Sequence, residues 1–330
     1  MLLIEDVHKS FGARAVLRGV DLTVPAGRIV GLVGSNGAGK TTLISIATGL
    51  ITASRGRALV GEGDAADVDV AADRRLASGL IGLAPQDLGI YPMLSVEQNL
   101  VTFAELAGLR RKAARAQVER VVEALDLVPQ LRQRADTLSG GQARRLHTGM
   151  ALMHRPAVLF LDEPTVGADV AARHAILAVV REIASQGTAV VYTTHYLTEL
   201  EDLGAHVAIL HEGRIATQGT VADLVHANAS PSIGIVTSGE RPELPGWIAT
   251  PLVAESPPAG ALRWEASASA LTADTAAVLA DALSRLGTGT TLEGVDVAPA
   301  SLESAFLAIT GHHLAADATT PEEAKDVVHA

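Results

Sequence analysis

Short runs of apolar and often β-branched residues alternate with longer segments of helical periodicity along residues 2–226. The apolar runs are bounded by glycine, proline or charged residues, and they lie at 28–33, 80–84, 157–161, 188–193 and 206–210. Runs that are apolar at successive positions are typical of strands buried on both faces of a sheet. Their alternation with helices predicts an α/β fold with parallel strands and crossover helices.

Helical signals replace the strand signals between residues 86 and 155. Ser95 and Gln98 form the capping-box pattern that opens a helix. The three helices predicted in this block run over about 95–107, 112–127 and 141–154. The block at about 87–155 is therefore predicted to be a helical insertion within a first domain that spans residues 1–228.

The composition of the chain changes after Asn228, where proline, glycine and serine become frequent. The strands and helices predicted beyond this point are separated by these turn residues, and they lie at 233–237, 262–266, 273–286 and 302–310. Ser301 is predicted to be the N-cap of the last helix. Residues 229–311 are therefore predicted to form a small α+β accessory domain. Residues 312–330 lack periodicity and are predicted to be a disordered tail.

Composition and charge restrict the class of protein. Of the 330 residues, 48% are apolar and 19% are charged, which indicates a globular chain. The chain has no cysteine, so disulfides and thiolate metal sites are excluded. With 26 basic and 37 acidic residues the net charge is −11, which argues against binding to nucleic acid or directly to anionic lipid.

Neither a membrane-spanning segment nor a signal peptide is predicted. The longest wholly apolar run, 175–180, is far shorter than the roughly 20 residues of a transmembrane helix. Glu5 and Asp6 follow the first four residues at once, which leaves no basic region and too short an apolar region for a secretory signal. We therefore expect a cytosolic chain that reaches a membrane only through a protein partner.

The clearest candidate for chemistry is a glycine-rich loop that fits the pattern G-x-x-x-x-G-K-[ST] between a predicted strand and a predicted helix. Its residues are Gly34, Ser35, Asn36, Gly37, Ala38, Gly39, Lys40, Thr41 and Thr42. The glycines allow backbone N–H groups to turn toward an anion, and the helix N-terminus adds its positive end. Lys40 would then reach the outer phosphates of a nucleotide, and Thr41 would bind Mg²⁺. The alternative is a glycine turn that only caps a helix.

Two adjacent carboxylates, Asp162 and Glu163, follow the apolar run at 157–161. Open α/β sheets place their ligands at the carboxyl ends of the strands. Successive side chains of a strand diverge, so the two acids can act separately, Asp162 on the metal and Glu163 on the water that attacks the γ-phosphate. The alternative is a capping turn with a solvated glutamate.

A third motif, Ser139, Gly140, Gly141 and Gln142, precedes a predicted helix and makes a second N-terminus that could receive an anion. Together with the glycine-rich loop and the acid pair, in this order, it resembles the ATP-binding cassette (ABC) ATPases over residues 1–226. The resemblance implies ATP and Mg²⁺ as ligands and an α/β nucleotide-binding domain of the ABC P-loop type. It also implies a sandwich dimer in which this motif contacts the γ-phosphate of ATP held by a second copy of the chain.

The resemblance implies roles for four further residues. Gln86 would sense Mg²⁺ and the attacking water, and would adjoin the surface that docks a membrane subunit. His195 would hold the γ-phosphate. Phe11 would stack on adenine, and Asp169 would lie in the loop that crosses the dimer interface. Taken alone, the first three residues could be a solvated glutamine, a structural histidine and a core phenylalanine.

The segment 299–311 resembles the end of the accessory domain of type-2 drug and antibiotic export ATPases of the daunorubicin-resistance type. This implies an ATP-hydrolysing subunit that powers a separate permease and lies on the inner face of the cell membrane through it. The alternative is a soluble ABC ATPase without a transport role. Its DNA-repair members are excluded because residues 40–138 are too short for their long coiled coil, and the acidic charge argues against nucleic acid. An ATP-dependent protein that sequesters a drug is a further alternative.

A short basic cluster opens the second insertion helix and consists of Arg110, Arg111, Lys112 and Arg115. A solvated helix face and contact with lipid head groups or a partner are both compatible with it.

Overall fold

The computed structural model describes residues 1–229, 231–252, 261–266 and 275–311. The chain divides into two compact units, of which the first is Met1–Val221 and the second begins at Ala222. This boundary lies a few residues before the predicted boundary at Asn228, because the helix that ends at Asn228 belongs to the second unit. Prolines and glycines become frequent only after that helix. The predicted tail at 312–330 lies outside the described residues.

The first unit contains ten strands and seven α-helices. In chain order these are β1 (Leu2–Phe11), β2 (Arg14–Val24), β3 (Ile29–Val33), α1 (Lys40–Ala47), β4 (Arg55–Val60), β5 (Val68–Asp69), α2 (Arg74–Leu80), β6 (Ile81–Ala84), α3 (Val96–Leu106), α4 (Arg111–Ala124), α5 (Gly140–Ala151), β7 (Val158–Asp162), α6 (Val170–Ser185), β8 (Ala189–Thr193), α7 (Leu197–Leu203), β9 (His206–His211) and β10 (Arg214–Thr220). Short 3₁₀ turns connect α4 to α5.

The main sheet of this unit has six strands in the order β10-β9-β3-β8-β7-β6. Five of its strands, β9, β3, β8, β7 and β6, pair in parallel, and the edge strand β10 pairs antiparallel with β9. Every residue of β3 and β8 is buried, as their continuous apolar sequences predict. The predicted α/β fold is confirmed, and the parallel strands bring the segments after β3, β6, β7 and β8 to one edge of the sheet.

A second sheet of the same unit is antiparallel and has the order β2-β1-β4-β5. This sheet was not predicted, because its strands are not continuous apolar runs. In β1 the buried positions Leu2 and Ile4 alternate with partly exposed ones, which is the pattern of a sheet with only one buried face. Both sheets contribute to one apolar core around α1, with Leu43 and Phe160 among its members.

The insertion between β6 and β7 consists of α3, α4 and α5, as the helical signals predict. Ser95 and Gln98 form the predicted capping box at the start of α3. Gly149 lies inside α5, where a Cβ atom would come within 2.9 Å of Val121 Cγ1 on α4. The close approach of these two helices explains a glycine at a position where it weakens a helix. The four basic residues at the start of α4 are exposed.

The second unit is α+β in its described part. Its elements are α8 (Val221–Asn228), β11 (Ser232–Gly239), β12 (Trp247–Pro251), β13 (Leu262–Ala266), α9 (Thr275–Ser284), β14 (Thr290–Ala298) and α10 (Leu302–Thr310). The strands form an antiparallel sheet in the order β12-β13-β11-β14. Trp264 lies in its small core and donates a hydrogen bond from Nε1 to Thr237 Oγ1 at 2.9 Å. Ser301 caps α10 as predicted, whereas β12 and β14 were not predicted.

None of the helices described for this chain has both the length and the apolar character needed to cross a bilayer.

Candidate active site

The glycine-rich loop runs from the end of β3 into the first turn of α1. Gly39 is the N-cap of α1 with a φ of 108°, and it offers no side chain to the first N–H groups of the helix. Lys40 Nζ donates hydrogen bonds to the carbonyl oxygens of Gly34 at 2.5 Å and Ser35 at 3.2 Å. Asn36, Gly37 and Thr41 are exposed, whereas Ala38 is buried. The loop therefore places a cation and the positive end of a helix at the surface.

Two glycines of this loop are required by close contacts. A Cβ atom at Gly34 would lie 2.4 Å from the carbonyl oxygen of Leu210, which is the next-to-last residue of β9. At Gly39 a Cβ atom would lie 2.7 Å from Leu17 Cδ2, and the positive φ adds backbone strain. The loop is thus fixed against β9 and β2, with little freedom to shift.

The acid pair lies at the end of β7, beside the end of β8. Thr193 Oγ1 donates a hydrogen bond to Asp162 Oδ1 at 2.5 Å and accepts one from the Glu163 backbone N–H at 3.0 Å. Glu163 has a φ of 49°, which few residues other than glycine adopt. Such strained backbone is concentrated at functional sites, where the surrounding structure maintains it.

Two predicted site residues meet the Glu163 carboxylate. Gln86, which follows β6, donates a hydrogen bond from Nε2 to Glu163 Oε2 at 3.2 Å. His195, which follows β8, has its Nδ1 3.6 Å from the same oxygen. Two residues from the ends of the neighbouring strands β6 and β8 therefore converge on the carboxylate at the end of β7, although the three are far apart in the sequence.

Arg144 on α5 belongs to this cluster, and the sequence analysis missed it. Its guanidinium donates hydrogen bonds to the carbonyl oxygens of Gln86 and, at 3.1 Å, of Val166. Burial lowers the pKa of Arg144, and the negative charges of Asp87 and Glu163 oppose that shift. An arginine on a helix close to the Ser139 motif was the only signal in the sequence, and it is indistinguishable there from a solvated arginine.

The Ser139 motif forms the start of α5 and caps it. The Gln142 backbone N–H donates to Ser139 Oγ at 3.3 Å, and the Ser139 N–H donates to Gln142 Oε1 at 2.9 Å. Asp169 caps α6 in the same way, since Oδ1 accepts a hydrogen bond from the Ala172 N–H at 2.7 Å. A Cβ atom at Gly141 would lie 2.8 Å from Ala172 Cβ, so the two helix starts pack closely together.

Phe11 lies at the end of β1 and is 43% exposed, which excludes the alternative of a core position. Lys9 Nζ lies 5.0 Å from the centre of its ring. The exposed ring is compatible with stacking on a planar ligand.

The residues that could hold Mg²⁺ are Thr41, Gln86 and Asp162. They offer hydroxyl, amide and carboxylate oxygens, which are the donors that this hard cation prefers. Asp162 is already held by Thr193 through one oxygen, and a carboxylate has further lone pairs available for a metal. The donor set therefore fits Mg²⁺.

The sheet, the glycine-rich loop and the acid pair at the strand ends have the arrangement of a P-loop ATPase. Residues 17–166 match the ABC transporter family. The daunorubicin resistance ATP-binding protein DrrA2 of Streptomyces coeruleorubidus is 34% identical over 310 residues, which cover 93% of this chain and 94% of the relative. The linearmycin resistance ATP-binding protein LnrL of Bacillus subtilis (strain 168) is 35% identical over 224 residues, which cover 68% of this chain and 70% of the relative.

Solved structures agree with this assignment. The structure of an ATP-binding subunit of an ABC transporter superposes with a TM-score of 0.63 at 26% identity and covers 69% of this chain and 92% of that one. The dimeric structure of the bacterial ABC transporter cassette MJ0796 has a TM-score of 0.59 at 21% identity, covers 67% of this chain and 98% of its own, and supports the fold. The chain belongs to the ABC transporter family as an ATP-binding subunit, and its enzymatic class is that of the ABC ATPases.

Proposed function

We propose that this chain hydrolyses ATP with Mg²⁺ to power a separate membrane permease that exports a drug or antibiotic. The convergence of Gln86 and His195 on the Glu163 carboxylate is the observation that carries the catalytic part of the proposal. The match to DrrA2 over nearly the whole of both chains supports the export part.

In the proposed mechanism the loop residues 34–42 bind the phosphates, through backbone N–H groups and Lys40. Glu163 accepts a proton from the attacking water, and His195 holds the γ-phosphate. Mg²⁺, when bound by Thr41, Gln86 and Asp162, would neutralise charge on the phosphate oxygens.

The active form in this proposal is a dimer of two copies. Each copy contributes the glycine-rich loop to one nucleotide and residues 139–142 to the other, with Asp169 at the interface between them and Phe11 against adenine. Ser139, Gly140 and Asp169 are exposed in the single chain, which is compatible with contact to a second copy. The dimer would lie on the inner face of the cell membrane, held there by the permease.

The catalytic part is tested by Glu163→Gln. This variant preserves the shape of the side chain and removes its ability to accept a proton, so turnover should fall by roughly 10²-fold or more while ATP affinity stays near the wild-type value. Glu201→Gln, on the exposed face of α7, is a matched control that should retain wild-type turnover. Wild-type turnover in Glu163→Gln would exclude Glu163 as the base.

The export part requires a membrane system. The chain should be purified from gently solubilised membranes with the membrane protein it retains, and the pair reconstituted in inside-out vesicles. ATP-dependent uptake of daunorubicin, lost in Glu163→Gln, is the expected result. Vesicles that hydrolyse ATP without accumulating daunorubicin would contradict a daunorubicin-like cargo, and failure to retain any membrane protein would contradict the permease.

A further inference from the structure

A buried carboxylate lies directly behind the site. Glu199 on α7 is only 1% exposed, although an isolated ionised carboxylate is strongly disfavoured in a protein interior. Its oxygens accept hydrogen bonds from three hydroxyl groups: Thr165 Oγ1 at 2.7 Å, Tyr192 OH at 2.9 Å and Thr194 Oγ1 at 2.8 Å. Arg173 Nε lies 3.3 Å from Glu199 Oε1 and adds an ion pair. Four polar groups therefore compensate for the burial of one charge.

The partners of Glu199 come from the segments that carry the candidate catalytic residues. Thr165 lies two residues after Glu163, and Thr194 immediately precedes His195. Arg173 lies in the first turns of α6, the helix that Asp169 caps. The Glu199 carboxylate therefore bonds to the loops after β7 and β8 and to the helix beside them.

A second series of contacts leads from this carboxylate to His195. The Arg173 guanidinium lies over the ring of Tyr196, 4.7 Å from its centre, and the Tyr196 ring lies 4.0 Å from the His195 ring. Tyr196 also donates its backbone N–H to Thr194 Oγ1 at 2.9 Å. Because Tyr196 is 39% exposed, core packing alone does not hold it.

Burial and the neighbouring charge of Glu199 raise the pKa of the Tyr192 hydroxyl, so Tyr192 remains a hydrogen-bond donor to the carboxylate. A buried ion pair is seldom the most stabilising way to fill such a space, since apolar groups of similar volume are often as good or better. The cluster is therefore better explained by the geometry that it imposes on the two loops than by stability alone.

We propose that Glu199 is a positioning residue that holds His195 beside the Glu163 carboxylate, through Thr194 on one side and through Arg173 and Tyr196 on the other. The inference rests on the proposed function, in which His195 and Glu163 act in ATP hydrolysis. It adds a residue that does not touch the nucleotide and that acts only by fixing the position of one that does.

The test compares Glu199→Gln with the exposed neighbour variant Glu201→Gln. Glutamine keeps the volume of the side chain but loses the charge that pairs with Arg173 and one of the two acceptor oxygens. We expect turnover to fall about 10-fold in Glu199→Gln, with the KM for ATP changed less than about twofold, because the phosphate-binding loop is untouched. Glu201→Gln should match the wild type.

A double-mutant cycle separates positioning from a general loss of structure. In a His195→Ala background, Glu199→Gln should cause no further loss of turnover, because the residue through which it acts has already been removed. Losses that multiply in the double variant would overturn the proposal, as would wild-type turnover in Glu199→Gln.

A second pair of variants decides the matter if Glu199→Gln does not fold. Arg173 is about one-third exposed, so Arg173→Met should be tolerated, and it removes the charge between Glu199 and Tyr196. Turnover should fall in Arg173→Met and be largely restored in Arg173→Lys. If the wild type hydrolyses no ATP, the proposed function itself fails. Suppose instead that the wild type is active and that turnover is strongly reduced in His195→Ala. Full activity of both Glu199→Gln and Arg173→Met would then refute only the positioning role.

Discussion

Alanine at position 34 would test how tightly the glycine-rich loop, which we propose binds phosphate, is fixed to the sheet. The added Cβ atom would lie 2.4 Å from the Leu210 carbonyl oxygen, so the loop and β9 would have to separate by about 0.6 Å to reach even 3.0 Å. Neither side can yield easily, because the added Cβ is fixed by the loop backbone, its contact is a backbone carbonyl, and Leu210 is fully buried. The adjacent residue Val33 is also paired with Ile209 of β9.

The cost of Gly34→Ala should therefore be seen in both stability and binding. Overpacking of a rigid site typically lowers the free energy of unfolding by about 1–3 kcal/mol. A displacement approaching 1 Å in a group that positions a ligand can cost up to about 10²-fold in activity, so we expect ATP affinity to fall at least about 10-fold. Chemical denaturation and titration calorimetry with ATP would measure the two effects separately.

Gly79→Ala is the matched control. Gly79 lies in α2, and an added Cβ atom would meet nothing within 4 Å. Its replacement should stabilise the protein by roughly 0.5–1 kcal/mol through helix propensity and leave ATP affinity unchanged. Wild-type ATP affinity and stability in Gly34→Ala would refute the reasoning, because the loop would then have the freedom that the contact with Leu210 denies it.

Two further predictions concern pH and assembly. Burial, reinforced by the charge of Arg144, lowers the pKa of His147 to about 4. The unfolded chain therefore binds a proton at His147 more readily than the folded chain does. The folded state loses stability as the pH falls from about 6.5 toward 4. The shift corresponds to at most about 3–4 kcal/mol of stability. Denaturation of His147→Gln across this pH range should therefore show a weaker loss of stability than the wild type, and equal losses would contradict the prediction. In the second experiment, Lys40→Ala and Ser139→Arg chains should each be inactive on their own. A free mixture of the two should regain about a quarter of wild-type turnover, because half of the dimers are mixed and each mixed dimer has one of its two sites intact. Full activity of either variant alone would contradict the two-copy site.

Local sequence was sufficient to predict those elements whose structure is determined by neighbouring residues. The strand before the phosphate-binding loop is buried on both faces, and its continuous apolar sequence indicates this directly. The capping box at Ser95 needs only residues within one helical turn, and the spacing of Ser95 and Gln98 predicts it. The glycine-rich loop and the acid pair were found for the same reason, since each is a short motif at a strand end.

Long-range pairing explains what was missed. The antiparallel sheet pairs Leu2 with both Val24 and Val60, and none of its strands buries two consecutive residues. Arg144 and Glu199 gain their roles from partners that the fold brings to them, such as Gln86 for the former and Thr165 for the latter. On a helix, a charged residue of this kind has the same sequence signal as a solvated one.

The polar groups of the Ser139 motif and of Asp169 also indicate why a single chain would not form a complete nucleotide site. Ser139 and Asp169 each cap their own helix, and Gly141 lies close to Ala172 at the start of α6. The start of α5 is therefore preorganised before any nucleotide binds, with its first N–H groups and positive helix end close to the surface. A helix start built in this way loses little conformational freedom on meeting a phosphate, so that a second copy could complete the site by docking rather than by folding.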